Sequence, residues 1–452
     1  MSRKRKISIF FDHDLTIRNF IKTNAFEVLN KQYEVDYVFP IHKRISSNLK
    51  DLKIKSIVRY KIDTGRIRLI NYLQQVAIVK KFKHIKGVNS KTLLGLYKKL
   101  WGPRWFFCCN ILATFPFWGI FRFCIIKLAG YDRWLLSYLQ REKPHCVFHP
   151  TVLSGLYASD LPAHCRKLGI KCIFLMNSWD NPSIKATAFE FPDLLGVWGE
   201  QSRLDAVHIF GIPKIKVKVI GASQFEVFKK KPKTSRSEFF QKNNLNMKKR
   251  IFLYAGSSKG LNETEHLKIL ERKIGDYRAR DWQILYRPHP WKKFAPDEKN
   301  FLSQAWSFTK MDDSCKNIYL KNFLGHEFNV VESCYNDVHN VLSHVDCVFS
   351  PLSTFVLEAA LHGKPGCVYL DDEKGPEKTF RYAAKHMLHF RPFLEKVSVI
   401  KCTKKILLQE SLEKLICNST NTVLKQRLKT ESEYFVKTFS DSYGKRLVKM
   451  VP

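Results

Sequence analysis

The stretch VDCVFSPLSTFVLEAALHGKPGCVYL, residues 345–370, predicts a strand, a helix and a second strand in succession. The apolar run DCVFS is typical of a buried strand, and Pro351 ends it because proline has no amide donor for a sheet. Ser353 or Thr354 can cap the helix that follows, and Gly363 stands where helices commonly end. This order of elements is the repeating unit of a parallel α/β sheet.

The same alternation of short apolar runs and helical segments covers most of the 452 residues. A lysine-rich interval, residues 229–250, interrupts the alternation, and we interpret it as a linker. The sequence therefore predicts two Rossmann-like, doubly wound α/β domains, residues 1–228 and 251–404. The helical pattern of residues 405–452 predicts C-terminal helices that cross back and pack on the N-terminal domain.

The charge of the chain points to a polyanionic partner. Lysine and arginine number 77 against 41 acidic residues, which gives a net charge of +36. Nucleic acid, an anionic membrane surface and phosphorylated substrates all fit that balance. The basic residues are dispersed, and no helix-turn-helix, RNA-recognition or zinc-finger spacing occurs, so we expect no specific nucleic acid. A polyanion-binding protein without enzymatic activity is the alternative outside the enzymes.

The cysteines and the start of the chain favour a cytoplasmic protein. The 12 cysteines are scattered and form no C-x-x-C pair, which predicts free thiols in a reducing compartment and no metal site. The apolar run ISIFF near the start is too short for the apolar region of a signal peptide.

An apolar helical segment at residues 95–130 has two interpretations. Trp105 to Phe121 runs uncharged, at the lower limit of length for a membrane span, and Arg104, Arg122 and Lys127 flank it. It is either a buried helix pair or an aromatic face that lies on the headgroup region of a membrane, beside basic residues. The second interpretation predicts peripheral attachment to the inner face of the membrane.

Basic and hydroxyl side chains follow two predicted strands of the second domain. In YRPHPW, residues 286–291, Arg287 and His289 come directly after an apolar run, and the neighbouring prolines keep them in an extended segment. The start of the helix after residue 352 suits a phosphate, and Glu358 shares a face with Thr354. The alternative is a purely structural helix cap with Glu358 in water.

A glycine-serine turn follows the first predicted strand of the second domain. Gly256, Ser257 and Ser258 come after IFLYA, and we expect them to line the same site. The alternative is a plain turn from strand to helix, because Asn262 and Glu265 form a capping box that needs no ligand.

The motif RPHP, followed by S-P-x-S-T-x-x-x-E-A-A-x-x-G-K-P, resembles the C-terminal half of GT-B-fold enzymes that use nucleotide-activated donors. It is similar above all to bacterial surface-polysaccharide glycosyltransferases and to CDP-glycerol glycerophosphotransferases. The resemblance implies two domains that face a cleft, with Arg287 and His289 on the donor diphosphate. It also implies that Ser353 and Thr354 bind phosphate oxygens and that Glu358 binds the ribose.

The activity that this resemblance implies is transfer of a sugar from a nucleotide-activated donor to a surface glycan or a lipid-linked acceptor. No metal and no cofactor besides the donor are implied, since cationic side chains can stabilise the leaving diphosphate. A CDP-glycerol-type glycerophosphotransferase and a non-hydrolysing UDP-sugar 2-epimerase are the alternatives within the fold.

Candidates for acid–base catalysis lie in the first half of the chain. His13 and Asp14 follow the first predicted strand, and either can act as a general base; the alternative is that Asp14 caps a helix. Asp180 is a further candidate for the base, beside Trp179, which can stack on a sugar ring. A buried tryptophan and an aspartate in an Asx turn are the alternatives there, and His149 in FHPT has the same ambiguity.

Overall fold

The structure, a computed structural model, describes residues 4–41, 49–52, 54–84, 88–130, 132–185, 188–257, 261–275, 281–289, 301–316, 334–371 and 379–452. The chain divides into two compact units, Met1–Glu226 with Tyr434–Pro452, and Val227–Glu433. Each unit has its own parallel β-sheet, which confirms the predicted α/β class with two Rossmann-like sheets.

The first unit is built on a seven-stranded parallel sheet with strand order β3-β2-β1-β4-β5-β6-β7. Its strands are β1 (Lys6–Phe10), β2 (Glu34–Ile41), β3 (Ser56–Lys61), β4 (Cys146–Thr151), β5 (Lys171–Met176), β6 (Leu194–Val197) and β7 (Val217–Val219). Its α-helices are α1 (Asp14–Thr16), α2 (Glu27–Gln32), α3 (Thr64–His84), α4 (Val88–Trp101), α5 (Pro103–Leu112), α6 (Phe117–Ala129), α7 (Arg133–Glu142), α8 (Asp160–Leu168), α9 (Glu200–His208) and, from the tail, α18 (Tyr443–Val448).

The second unit is built on a six-stranded parallel sheet with strand order β10-β9-β8-β11-β12-β13. Its strands are β8 (Arg250–Ala255), β9 (Trp282–Arg287), β10 (Thr309–Met311), β11 (Cys347–Pro351), β12 (Gly366–Tyr369) and β13 (Ile400–Cys402). Its α-helices are α10 (Arg236–Lys242), α11 (Glu263–Gly275), α12 (Tyr335–His344), α13 (Thr354–Leu361), α14 (Thr379–His386), α15 (Phe390–Lys396), α16 (Leu408–Asn418) and α17 (Thr422–Ser432).

The central strands form because both of their faces are covered. Every residue of β4, β9, β11 and β12 is buried, which matches the uninterrupted apolar runs of the sequence. In the first unit the sheet, α2 and α18 share one core, and Phe11, Phe148 and Leu447 are fully buried in it. The carboxyl ends of the strands therefore stand on a rigid support.

The interval 229–250 is not the linker that its lysines indicated. Residues Arg236–Lys242 form helix α10, which starts with a capping box between Ser235 and Glu238. Phe239 and Phe240 are buried in the core of the second unit. Burial of two aromatic rings on one face outweighs the polar composition of the segment.

The tail also differs from the prediction. We expected all of residues 405–452 to pack on the N-terminal domain, but α16 packs on α11 and α17 packs on α13, within the second unit. Only Tyr434–Pro452 belong to the first unit, where α18 packs on α2. The reason is the apolar stripe of α16, because Leu408, Leu412 and Leu415 are all fully buried.

Candidate active site

The strand order of the first sheet reverses between β1 and β4, with β2 on the other side of β1. In doubly wound sheets, ligands bind outside the carboxyl ends of the strands at such a switch point. Asp12 and His13 follow β1 at this point, and His149 lies in β4. The topology thus brings together three titratable side chains that are far apart in sequence.

Asp12 is the centre of this cluster. It is 1% exposed, and neither of its carboxylate oxygens has a hydrogen-bond donor among the described residues. Nε2 of His13 lies 3.8 Å from Oδ1, and Nε2 of His149 lies 4.0 Å from Oδ2. A buried carboxylate without donors is costly, so its presence at a switch point indicates a chemical role.

The hydrogen bonds of His149 define its tautomer. Nδ1 of His149 lies 2.8 Å from the carbonyl oxygen of Phe10, and since a carbonyl only accepts, Nδ1 carries the proton. Burial lowers the pKa of His149, although the charge of Asp12 acts in the opposite direction, so the ring is neutral at pH 7. The lone pair of Nε2 therefore faces Oδ2 of Asp12, and these two acceptors suit a hydroxyl group of a ligand.

His13 has a structural duty in addition. The amide N–H of Thr16 donates to Nδ1 of His13 over 3.2 Å, so His13 is the N-cap of α1. The alternative prediction that Asp14 caps this helix is wrong, since Asp14 is its first residue. In the neutral ring Nε2 carries the proton, and it lies 3.8 Å from Oδ1 of Asp12, beyond hydrogen-bond distance. The geometry thus favours Asp12, which the sequence reasoning did not select, over His13 or Asp14 as the base.

A glycine makes room for the Asp12 carboxylate. Gly155 has φ +104°, and a Cβ atom at this position would lie 2.5 Å from Oδ2 of Asp12. The carbonyl oxygen of Gly155 accepts a hydrogen bond from Nε2 of Gln74 in α3 over 3.2 Å. The close approach therefore requires glycine, and α3 holds the loop in place.

The loop after β5 supplies the other predicted residues of the first unit. Trp179 is 1% exposed, and its ring packs edge-on against Phe435 with 5.6 Å between centroids. The indole is therefore a core group, and stacking on a sugar is excluded. Asp180 is half-buried, and its Oδ1 accepts from Nδ2 of Asn181 over 3.3 Å. A role for Asp180 as base stays a prediction.

The second sheet has its own switch point, between β8 and β11. Gly256 and Ser257 follow β8, and Ser353 and Thr354 follow β11, so the topology places both predicted turns at one end of the sheet. Ser258 lies outside the described residues.

The start of α13 presents hydroxyl groups without using them as caps. Ser353 is the N-cap, yet its side chain accepts no capping hydrogen bond; its Oγ instead lies 3.0 Å from Oγ of Ser350. Thr354 is the first helical residue and is half-buried. Glu358, one turn further, is 7% exposed, so the alternative in which Glu358 faces water is wrong. The arrangement suits an anion at the positive end of a helix.

A carboxylate that the sequence reasoning missed supports the neighbouring turn. Glu263 is 1% exposed and accepts hydrogen bonds from the amide of Ser257 over 2.7 Å and from the hydroxyl of Tyr286 over 2.6 Å. A Cβ atom on Gly256 would lie 2.6 Å from its Oε2. The sequence signal for this contact was an acidic residue at the first position of α11, six positions after Ser257. Glu263 thus fixes the Gly256–Ser257 turn.

Arg287 and His289 leave the sheet together. Arg287 is buried at the end of β9, and its Nη1 donates to the carboxylate of Asp312 and to Oγ of Ser314, the latter over 3.0 Å. The guanidinium group thus joins the end of β9 to the residues after β10. His289 is half-buried. Contact of both residues with a diphosphate stays a prediction.

With this geometry in view, the whole chain is similar to solved GT-B structures. UDP-N-acetylglucosamine 2-epimerase from Neisseria meningitidis bound to UDP-GlcNAc aligns with TM-score 0.53 and 14% identity over 98% of each chain. A variant of the wall teichoic acid polymerase TagF aligns with TM-score 0.51 and 12% identity, over 99% of this chain and 88% of that one. A glycosyltransferase from Rickettsia africae aligns with TM-score 0.50 and 9% identity, over 99% and 98%.

These similarities establish the class of fold: the chain has the two-domain GT-B architecture. No protein-family model matches the sequence, and no curated protein matches it in a sequence search. The residues at the two switch points are therefore the basis for a proposed activity.

Proposed function

We propose that the protein is a glycosyltransferase that moves a sugar from a nucleotide-activated donor to a hydroxyl group of a surface glycan or a lipid-linked acceptor. The observation that carries this proposal is the buried carboxylate of Asp12, which lies beside two imidazoles and has no donor among the described residues. A carboxylate of this kind is suited to accept the proton of an acceptor hydroxyl.

In the proposed step, Asp12 takes the proton of the acceptor hydroxyl, and the oxygen of that hydroxyl forms a bond to the anomeric carbon. The bond between that carbon and the phosphate oxygen breaks, and its electron pair goes to the leaving nucleoside diphosphate. Nε2 of His149 accepts no hydrogen bond within the described residues and can orient the hydroxyl before transfer. A base that acts on the acceptor fits direct displacement with inversion at the anomeric carbon.

The second unit supplies the groups for the donor in this proposal. Ser353 and Thr354, at the start of α13, bind phosphate oxygens, and Glu358 binds the ribose. Arg287 uses Nη1 for Asp312 and Ser314, which leaves Nε and Nη2 as donors toward the diphosphate. His289 stabilises the negative charge that develops on the leaving group.

Nucleotide-bound neighbours support this assignment. The solved structures that are similar in fold include a UDP complex of MnaA from S. aureus, with TM-score 0.51 and 13% identity, besides the UDP-GlcNAc complex above. We propose that this chain likewise takes a nucleotide-activated donor, requires no metal or further cofactor, and acts in the cytoplasm at the inner face of the membrane in glycan synthesis for the cell envelope.

A thermal-shift panel tests the proposal. UDP, CDP and GDP, their common sugar conjugates, CMP-sugars and CDP-glycerol are added one at a time to the full chain. Stabilisation by one nucleoside diphosphate and its sugar conjugate is expected, because a ligand that binds only the folded state raises the melting temperature. Selective stabilisation by CDP-glycerol would assign a glycerophosphotransferase, and no stabilisation by any compound would contradict the donor site.

Replacement of His289 tests the role of the second unit in the reaction. His289→Ala is expected to lower turnover about 100-fold, because one group that stabilises developing charge contributes roughly that much. His208→Ala, at the exposed end of α9, is the matched control and should retain full turnover. Equal turnover of His289→Ala and the wild type would exclude the assigned role of this imidazole.

A further inference from the structure

Helices α5 and α6 carry apolar side chains on two opposite faces. The inner face packs against α3, where Cys109 and Ala113 are buried next to Val79 and Phe82. The outer face exposes seven large apolar side chains, which we call the outer apolar face: Phe107, Ile111, Phe115, Phe117, Ile120, Phe123 and Leu128. A helix that is apolar all round needs a cover on both sides, in a protein core or in a membrane.

The charged side chains of the helices that carry the outer apolar face have a single sign. Between Asp63 and Asp132 the sequence contains no acidic residue, although the whole chain has 41 of them. Exposed Arg104 and Lys127 lie on α5 and α6 themselves, and exposed Lys98 and Lys99 lie on α4. Glu190 also lies at this face, but it is already paired with Arg122 and Arg166. Apolar side chains flanked mainly by cations match the surface of an anionic bilayer, where each basic residue near the surface adds to binding.

The two helices lie on a membrane more readily than they cross it. In the described part of the chain, no single helix is long and apolar enough to span a bilayer; α5 and α6 meet that criterion only as a pair, and they are bent by 105° at the break. The bend lies at the stretch from Ala113 to Pro116, and Phe115 there is 95% exposed. This geometry places an aromatic tip at the point of deepest contact.

A cavity on the same face suits a lipid. It has a volume of 750 Å³ and is lined by Phe115, Trp118 and Phe123 together with Arg122 and Lys127. Arg122 also pairs with Glu190, whereas Lys127 is exposed and lies over the ring of Phe123 at 5.9 Å. Aromatic walls with cations beside them fit an acyl chain and its phosphate headgroup.

From these observations we infer that the outer apolar face docks the protein on a bilayer that contains anionic phospholipid, with Phe115 inserted below the headgroups. A second copy of the chain is a poorer cover, because it would bring the same cations together without counter-charges. Membrane docking would bring the proposed glycosyltransferase to a membrane-bound acceptor. Only this biological purpose rests on the proposed function.

The docking face is connected to the acid–base cluster of the same unit. Nε of Arg66 in α3 donates to the carbonyl oxygen of Gly130, directly after α6, over 3.1 Å, and Arg66 also forms a buried ion pair with Asp160. Gln74, on the same helix, donates to the loop of Gly155, which touches Asp12. Docking therefore fixes the distance of Asp12 from the bilayer, which suits an acceptor whose reacting hydroxyl is held at the membrane surface.

Vesicle flotation tests the inference without any nucleotide. The full chain is mixed with phosphatidylcholine vesicles, or with vesicles that also contain phosphatidylglycerol, and centrifuged through a density gradient. The wild type is expected to float with the anionic vesicles and to stay at the bottom with phosphatidylcholine alone. The variant Phe115→Asp/Phe123→Asp should bind anionic vesicles about 100-fold more weakly, because two aromatic anchors are lost.

The cations are tested separately. Arg104→Glu/Lys127→Glu should reduce binding to anionic vesicles by about 25-fold or more, since each cation near the surface contributes roughly 1 kcal/mol. Ile406→Asp is the matched control, because Ile406 is 85% exposed in the second unit; this variant should float like the wild type. All replaced side chains are exposed, and circular dichroism and the melting temperature verify that each variant folds.

Three results would overturn the inference: a wild type that fails to float with anionic vesicles, a Phe115→Asp/Phe123→Asp variant that floats as well as the wild type, or a dimer in solution that this variant converts to a monomer. The last result would assign the outer apolar face to a second copy of the chain. The melting-temperature increase with a nucleoside diphosphate is measured on the same variants. Failure of docking with intact nucleotide binding is thereby distinguished from failure of the proposed function.

Discussion

The switch points of the two sheets have the same topology and opposite chemistry. In the first unit, the strand order reverses beside a buried carboxylate and two imidazoles, and Asp12 has no hydrogen-bond donor among the described residues. In the second unit, the order reverses beside serine and threonine hydroxyls and a helix start, and the buried carboxylate there, Glu263, accepts two hydrogen bonds. In the proposed reaction, the first switch point transfers a proton and the second holds an anion.

The two buried carboxylates, Asp12 and Glu263, are expected to affect the stability of their units in opposite ways. An unsatisfied buried charge lowers stability, and natural proteins keep such groups mainly at sites of chemistry. A satisfied carboxylate that fixes a turn adds to stability and preorganises the groups around it. Asp12 and Glu263 are therefore expected to respond in opposite ways to replacement.

The largest effect is expected for Asp12→Asn. Turnover should fall about 1,000-fold, because an asparagine cannot accept the proton of the acceptor. The free energy of unfolding should rise by about 1 kcal/mol or more, because the uncompensated buried charge is gone and the amide can donate toward His149. Nucleoside diphosphate release and urea unfolding of the same preparation measure the two effects.

Asp14→Asn decides between the two neighbouring carboxylates. Asp14 was one of the two aspartates that the sequence offered as a base, beside Asp180, and it is the half-buried first residue of α1. If the loss of turnover follows Asp14 and not Asp12, the assignment of the base to the switch point is wrong. Reduced stability of Asp12→Asn would likewise show that the carboxylate is compensated.

Glu263→Ala should have the next largest effect, this time on stability. It removes the carboxylate that accepts hydrogen bonds from the buried amide of Ser257 and from the buried hydroxyl of Tyr286, and the expected loss is about 3 kcal/mol of unfolding free energy. The released turn should also weaken nucleotide binding, which the thermal-shift assay reports.

The matched control for this carboxylate is Glu265→Ala, two residues along the same helix. Glu265 is exposed and forms a surface ion pair with Lys405, so its loss should cost less than about 1 kcal/mol. Equal destabilisation by both replacements would show that Glu263 is an ordinary helix residue. The contrast drawn between Asp12 and Glu263 would then be wrong.

The sequence was sufficient to predict most of the fold because buried parallel strands are uninterrupted apolar runs. DCVFS and PGCVYL became β11 and β12, and PHCVFHP became β4. The prediction missed short strands at sheet edges, such as β10 and β13, each of three residues, because a run of that length has no periodicity to detect. It mistook α10 for a linker, since lysines concealed two buried phenylalanines.

The sequence predicted residues of the candidate site only where the local sequence places a side chain at the end of a strand or the start of a helix. Ser353 and Thr354 stand at a helix start because Pro351 ends the strand before them, and this is visible in the sequence. The pairing of Asp12 with His149 depends on β1 and β4 being neighbours, 137 positions apart at the two residues, and no local pattern reports it. The burial of Trp179 against Phe435 in the tail was hidden for the same reason.

A third prediction concerns acid stability and involves histidines of both units. Burial lowers the pKa of His149, and it lowers the pKa of His362 in the second unit to about 3. Both rings are neutral when folded and gain a proton on unfolding once the pH is below about 6.5, so the free energy of unfolding falls as the pH falls. At pH 5 His362 accounts for a loss of about 2 kcal/mol, and His149 adds a further loss in the same direction.

Urea unfolding at pH 7 and pH 5 measures this loss in the wild type, in His149→Gln and in His362→Gln. Each replacement should reduce the difference in unfolding free energy between the two pH values, because one proton-binding group of the unfolded chain is gone. If His149→Gln loses as much stability between pH 7 and pH 5 as the wild type, His149 is not neutral at the first switch point, and the tautomer assigned to it is wrong.

The smallest effect is expected at the second switch point itself. Ser353→Ala/Thr354→Val should weaken binding of the stabilising nucleoside diphosphate about 10-fold, because two hydroxyl donors to phosphate oxygens are lost at roughly 1 kcal/mol each or less. Loss of the Ser353 hydroxyl should lower the melting temperature without ligand only slightly, since this hydroxyl makes no capping hydrogen bond and its contact is with Oγ of Ser350.

Thr422→Val is the control for this pair, because Thr422 is likewise the first residue of a helix in the second unit but lies exposed at α17. Isothermal titration calorimetry measures both nucleotide affinities, and Thr422→Val should leave the affinity unchanged. If the Ser353 and Thr354 replacements lower stability without ligand and leave affinity intact, the start of α13 is a structural cap. The start of α13 would then have no role in anion binding, and Arg287 and His289 would have to hold the anion.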